Sequence, residues 1–312
     1  MTADINKIVE IVTPFDEFEH EGLLNEIQGN IIKSHGRNHA VYLFLKFGDD
    51  IEAAKQWIGN FSQRYVTSAL EQAKQTMLHR LEKDVPGGLF ANFFLTRAGY
   101  MHLGYSYGDL PNDDAFRQGM QDYNMQQELG DDSNQWESGF KEEIHALVLL
   151  AADRIIGSET KKLKELEQKE KKRLLKQPAL LRNKVAAIEK DLSGIASVVH
   201  HEIGYVLRNN DGEEIEHFGF RDGVSQPLFL GRDIDKEREH SDFSQWDPRA
   251  PLSLVLFKDP NGAEEESYGS FFVFRKLEQD VAGWNDDVVN KLAEKLKVPD
   301  EEKNPALAGV MS

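Results

Sequence analysis

"IIKSHGRNHAVYLFLKF", residues 31–47, ends in a run that is apolar on both sides. Val41, Leu43, Leu45 and Phe47 fall on one face of an extended chain, and Tyr42 and Phe44 on the other. Such a run, with period two and two apolar faces, is a strand covered on both sides. Directly after it comes "DDIEAAKQWIGNF". Asp49 or Asp50 supplies a helix cap, and Ile51, Ala54, Trp57, Ile58 and Phe61 recur at helical spacing. Strand then amphipathic helix is a β-α unit, and the rest of the chain is read outward from it.

The pattern predicts more helix over 68–81. "LFANFFLTRAGYMHLGY" (89–105) reads as a second strand and a turn, entered through Pro86-Gly87-Gly88. The polar stretch 106–140 reads as loops and short helix, and "EIHALVLLAAD" (143–153) as a third buried strand. Residues 158–192 are dominated by Lys, Glu and Leu, with Pro178 near the middle. Proline suits a helix start, so this stretch predicts a helical hairpin or two abutting helices. Its interleaved Glu and Lys mark a solvated helix face rather than a binding surface. "SVVHHEIGYVLRN" (197–209) is a fourth strand, closed by the turn Asn210-Asp211-Gly212. A further strand, "YGSFFVFRKL" (268–277), and an acidic helix over about 278–297 follow.

The order β-α-β, loops, β-α-β predicts an α+β class: a ferredoxin-like domain with a helical insertion, then the start of a second such domain. The boundaries read as a flexible leader over 1–25, a first domain over 26–231 with the insertion near 157–196, and a linker with an incomplete second domain over 232–312.

The 312-residue chain is 40% hydrophobic, ordinary for a protein with a packed core. Its formal net charge of -17 repels nucleic acid and anionic membranes. With no cysteine there can be no disulfide, thiolate-ligated haem, iron–sulfur cluster or cysteine nucleophile. The opening "MTADINKIVEIVTPFDEF" lacks the apolar run of a signal peptide, and no window reaches the roughly 18 apolar residues of a membrane span. The expectation is a soluble, cytoplasmic protein.

The chemistry concentrates in "EHFGFRDGVSQPLFLG", residues 216–231. Asp222 stands between Gly219 and Gly223, beside Arg221. Glycines let a backbone turn sharply and come close to a flat ligand. Apolar neighbours raise the pKa of such an acid and an arginine lowers it, so it can move a proton near neutral pH. Spacing alone leaves an ordinary Asp-Gly turn as the competing reading.

The wider stretch "FGFRDGVSQP" resembles the signature of the dye-decolourising (DyP-type) haem peroxidases. "NEIQGNIIKSHGRNHAVYLFLKF" (25–47) is similar to that family's first strand entry, and "YGSFFVFRKLEQDV" (268–281) to the strand opening its second domain. The resemblance implies a pair of ferredoxin-like domains of the dimeric α/β barrel type with haem b between them. It implies peroxide-dependent one-electron oxidation of bulky aromatic, phenolic or dye-like substrates. Asp222 matches the distal aspartate, which moves a proton between the oxygens of hydrogen peroxide. Gly223, Val224 and Ser225 match the segment along the haem edge. Trp246, Trp284, Tyr268 and Tyr205 are candidates to pass electrons, each weighed first as an ordinary core or surface aromatic. The partners implied are hydrogen peroxide and a small aromatic reductant, with no nucleic acid and no membrane.

The pattern also departs from the family. The proximal histidine and distal arginine lie well after the "GSFFVFR" strand, and the chain has no residue matching either. The reading is therefore the N-terminal two-thirds of a longer member. The alternative is a truncated, haem-free remnant acting as an interaction or structural chain, with exposed apolar surface that favours aggregation or pairing with another chain. Of the ten histidines, His200 and His201 lie in a strand, so only one can face a given pocket. His35 and His39 lack helical context and a third ligand, so no metal set is assigned.

Overall fold

A computed structural model gives the fold and describes residues 20–81, 88–153, 179–209, 212, 214–217, 226–263, 267–284, 286, 287, 291 and 293–295. The described residues divide into two units. One comprises the described part of 1–204 with 228–271, and the other the described part of 205–227 with 272–295.

The first unit is built on a four-stranded sheet, with β1 His39–Phe47, β2 Phe90–Leu95, β3 Ala146–Ala152 and β4 Ala196–Tyr205 in the order β2-β3-β1-β4. β3 is central and antiparallel to both neighbours. Leu43 and Phe93 both pair with Val148, and Ala40 and Phe90 both face Ala151. β4 runs antiparallel to β1. Its entry at Ile195 accepts a hydrogen bond from Gly48 N at 2.8 Å, and Gly204 near its end lies over Ala40 and Tyr42. This is the sheet of the expected ferredoxin-like domain.

The two apolar faces of residues 41–47 find different partners. Val41, Leu43, Leu45 and Phe47 join Val148 and Leu150 in the main core. Helix α2 (Ile51–Tyr65) covers it with Ala54, Trp57 and Phe61. The sequence prepares α2 for this: Asp50 caps it, accepting from Ala53 N at 2.9 Å. Trp57 stacks on Phe61 at 5.1 Å, and Phe61 meets Phe93 at 6.1 Å. On the other face Ala40, Phe90, Leu149 and Ala151 form a smaller cluster flanked by Tyr42 and Phe94. All seven residues of β3 are buried, as a strand covered on both sides must be.

A third cluster joins α1 (Glu21–Glu26) and α3 (Ala69–Leu81) to residues 229–256. Leu23 and Leu24 are buried in it, so residues 21–25, expected in the flexible leader, are helical and packed. Their apolar pair is short, and too small a signal to read as a helix alone.

The connection from β2 to β3 holds α4 (Arg97–His102), α5 (Asp114–Gln118), α6 (Tyr123–Leu129) and α7 (Ser138–Lys141). Of the Lys/Glu/Leu stretch, the part after Pro178 forms α8 (Ala179–Asp191), with Leu181 and Ile188 in the main core. Its first half lies outside the described residues. After β4 come the β5–β6 hairpin (Leu207–Arg208, Glu214–Ile215) and α9 (Gly231–Arg238).

The strand expected over 268–277 is shorter. β8 is Tyr268–Gly269, paired with β7 (Phe257–Lys258), and residues 270–280 lie outside any strand. A run rich in strand formers becomes strand where its amides meet a neighbouring strand, and the ladder with β7 covers two residues. Phe271 instead stacks on Phe257 at 4.5 Å and tilts against Phe116 at 5.6 Å. Of the acidic helix expected over about 278–297, the described residues include α10, Val281–Trp284, and α11, Ala293–Lys295; most residues between them lie outside the described set. No helix of the described residues is long and apolar enough to cross a membrane.

Candidate active site

Asp222, Gly223, Val224 and Ser225 lie outside the described residues, as do Gly219, Phe220 and Arg221. The described chain on either side is held in place. Before the motif, in the second unit, His217 Nε2 lies 2.8 Å from Tyr205 O, and the two rings meet edge-on at 4.8 Å. After it, in the first unit, Leu228 N donates to Pro248 O at 2.7 Å and Ala250 N donates to Leu228 O at 3.2 Å. Phe229 and Leu230 are then buried in the third cluster, and α9 begins at Gly231. Asp233 in α9 forms an ion pair with Lys33, tying that helix to the segment before β1.

That segment is held by one buried side chain. Gln72 of α3 accepts from Asn30 N at 2.8 Å and donates to Ser34 O at 2.8 Å and Lys33 O at 3.0 Å. Asn30 has a positive φ of 70°, and its side-chain oxygen accepts from His35 N at 3.0 Å. Gly29 lies so close to Gln72 and Phe90 that an added Cβ would sit 2.7 and 2.8 Å from them. The residues here are small or carboxamide because the backbone must turn over a buried ring.

His35 ends this turn against Phe90, ring centres 5.3 Å apart, and Nδ1 accepts from Arg37 N at 2.9 Å. Burial and the Arg37 guanidinium push its pKa down to about 4, against a smaller upward pull from Asp153. It is neutral at ordinary pH.

The candidate redox aromatics occupy varied settings. Trp246 and Trp284 are exposed, and Tyr268 lies under the Lys258 ammonium, 5.2 Å from its ring centre. Several of the described histidines are already engaged. Nε2 of His102, His201 and His145 faces Gly48 O at 2.9 Å, Glu189 at 2.7 Å and Glu143 at 2.8 Å. Nε2 of His200 faces Glu202 at 3.3 Å. As placed, the donors of these histidines do not fit an axial haem ligand, since ligation would first have to break these contacts. The strand pair expected to diverge does so: His200 packs on Phe44, and His201 reaches Glu189 of α8 on the helical side. Glu137 and Glu202, which no local pattern joins to His200 as a set, both lie within ion-pair distance of its Nε2.

Residues 26–184 match the DyP dimeric alpha+beta barrel domain. The chain belongs to the DyP family. It is 36% identical over 262 residues to the multifunctional dye peroxidase DyP2 of Amycolatopsis sp., covering 83% of this chain and 50% of that protein. The crystal structure of the Anabaena sp. DyP-type peroxidase AnaPX is similar at 44% identity and a TM-score of 0.75, covering 92% of this chain and 56% of the other. The structure of Amycolatopsis DyP2 superposes with a TM-score of 0.73 over 97% of this chain and 59% of its own, at 31% identity over that longer alignment. The chain therefore spans between about half and three-fifths of the length of these DyP relatives.

Proposed function

We propose that this chain carries the distal acid–base side of a DyP-type peroxidase that oxidises bulky aromatic, phenolic or dye-like substrates with hydrogen peroxide. The observation that supports this is the 44% identity to a DyP-type peroxidase across 92% of the chain, with a common fold. In this reading 26–231 is the first ferredoxin-like domain and 232–312 a linker and the start of a second, in a cytoplasmic protein. Haem b is the cofactor of the whole protein and supplies the redox chemistry when bound. Gly223, Val224 and Ser225 would lie along its edge.

Asp222 is the residue assigned to proton movement. Its carboxylate takes a proton from one oxygen of hydrogen peroxide and gives it to the other, so that the leaving oxygen departs as water. The flanking glycines allow the loop to bring that carboxylate close to the reacting oxygens. A site of this kind works best where bulk water is excluded. No histidine of the chain matches the family's axial ligand by its place in the motif order, so iron ligation is assigned to none of them.

The test is reconstitution with haemin, of this chain and of a form extended to the length of its relatives. Absorption spectra and peroxide-dependent oxidation of a phenolic dye are then measured. A specific Soret band and dye turnover in the extended form support the reading. No haem binding in either form overturns it and leaves a haem-free interaction chain.

A further inference from the structure

Three metal-ligating side chains meet on the sheet face opposite α2 and α8. His200 and Glu202 stand two residues apart on β4, which places them on the same face. Glu137, the residue that opens α7, reaches the same point from the β2–β3 connection. His200 Nε2 lies 3.3 Å from Glu202 Oε2 and 3.7 Å from Glu137 Oε2. One ligand atom from each residue lies within 4.8 Å of the other two.

The imidazole is held before any ion arrives. The Phe140 ring lies 4.4 Å from it and Phe44 5.7 Å. A Cβ built on Gly139 would sit 2.5 Å from His200 Cβ and Nδ1, so the ring fills the space that a glycine leaves open. Packing thus fixes the direction of Nε2 toward the two carboxylates.

We propose that Glu137, His200 and Glu202 form a binding site for a divalent transition cation, with zinc as its representative. One imidazole and two carboxylates are a three-ligand set that leaves a fourth position for water. Bonds of about 2.0–2.1 Å in a tetrahedron set ligand atoms about 3.3 Å apart. The contacts at His200 Nε2, 3.3 and 3.7 Å, are already near that spacing. A nitrogen donor in the set favours zinc-class ions over calcium or magnesium, which take oxygen ligands. Two carboxylates balance the ion's double charge, and the ion replaces any proton on Nε2. The ligands grade from His200, 16% exposed, through Glu202 at 22% to Glu137 at 50%, so the ion enters from the Glu137 side. The net charge of -17 raises the local concentration of any cation.

The proposal is tested on the 312-residue chain, stripped with a chelator and titrated calorimetrically with zinc ion alone at neutral pH. One saturating equivalent is expected, with a first shell of one nitrogen and two carboxylate oxygens by X-ray absorption. Glu137→Gln and Glu202→Gln should each weaken binding by at least about tenfold. Glu137 is half exposed, so its variant should keep the metal-free melting temperature. The absence of a saturable equivalent would overturn the proposal. So would an equivalent whose affinity is the same in both variants, because zinc would then sit on other side chains.

Discussion

The backbone amide of Phe47 donates a hydrogen bond to Nδ1 of the buried His145 at 3.0 Å. A ring nitrogen that accepts carries no proton, so the hydrogen of the neutral ring is on Nε2, which donates to Glu143 at 2.8 Å. His145 N in turn donates to Leu45 O at 2.8 Å. The residue thus closes the end of β1 onto the start of β3, with the His102 ring stacked on it at 4.3 Å. His145→Ala would leave the Phe47 amide without an acceptor in a closed site and remove a packed ring. A loss of about 2–4 kcal/mol is expected, measured by urea denaturation. A loss under about 0.5 kcal/mol, typical of a surface change, would show that this junction is not structural.

Acid should destabilise the fold through neutral histidines. Burial holds His35 at about 4, with Arg37 adding to the downward pull and Asp153 opposing it. Burial also lowers His145, against the hydrogen bond it donates to Glu143. In the unfolded chain both take a proton near pH 6.5. Between that pH and about 4 the unfolded state therefore binds more protons at His35, and stability falls as pH drops through this window. The urea midpoint should decrease from pH 7 to pH 5, and His35→Gln should flatten that slope. An equal slope in the variant would remove His35 from the account.

Gln72 is 3% exposed and satisfies three backbone groups of the segment before β1. Gln72→Leu keeps the bulk and discards all three bonds. The stranded Asn30 N–H and the Lys33 and Ser34 carbonyls should cost about 2–4 kcal/mol. Gln72→Glu, which keeps an acceptor for Asn30 but no donor for the two carbonyls, should also be destabilised. Amide hydrogen exchange at Asn30 should rise in Gln72→Leu; unchanged protection would mean that water or another group replaces the side chain.

Much of the fold is legible in the sequence because its signals are local. The four strands of the main sheet and helices α2, α3 and α8 follow from period and capping. The strand β8 is shorter than its sequence implies, because "SFFVFR" has the residues of a strand while strand pairing depends on distant chain. The helix at 21–25 is not legible in the sequence, since two leucines reveal burial only once α3 lies against them. At the candidate metal site, the His-x-Glu spacing of 200 and 202 is visible in a strand. Glu137 stands 63 positions before His200, the difference of the two numbers, and no local pattern joins them. Asp222 is assigned through the resemblance of its motif, since spacing alone leaves an Asp-Gly turn standing, and it lies outside the described residues.

Gly99 marks where α4 meets β3. A Cβ at this position would lie 2.0 Å from the carbonyl oxygen of His145 and 2.9 Å from its carbon, both backbone atoms that no rotamer change can move. The same carbonyl accepts from Thr96 N at 3.0 Å, so α4 cannot shift without breaking that bond. Gly99→Ala should cost about 1–3 kcal/mol or more from overpacking, read as a lower melting temperature. Gly59→Ala, on the open side of α2 with nothing within 4 Å, is the control and should hold or raise stability. Equal melting temperatures for the two variants would mean that α4 rides on β3 more loosely than this contact implies.

The role of Asp222 is testable apart from the fold. In the haem-loaded protein extended to the length of its relatives, Asp222→Asn keeps the size of the side chain and removes its ability to take a proton. Peroxide-dependent dye turnover should fall by about 10²–10⁴-fold, the usual contribution of a positioned acid–base group. The haem spectrum and melting temperature should stay where they are, because the change is isosteric. Stopped-flow mixing with peroxide should locate the loss in the peroxide-consuming step, with the later oxidation of dye unaffected. An unchanged rate in that step, with haem bound, would leave Asp222 as a turn residue and require another group to move the proton.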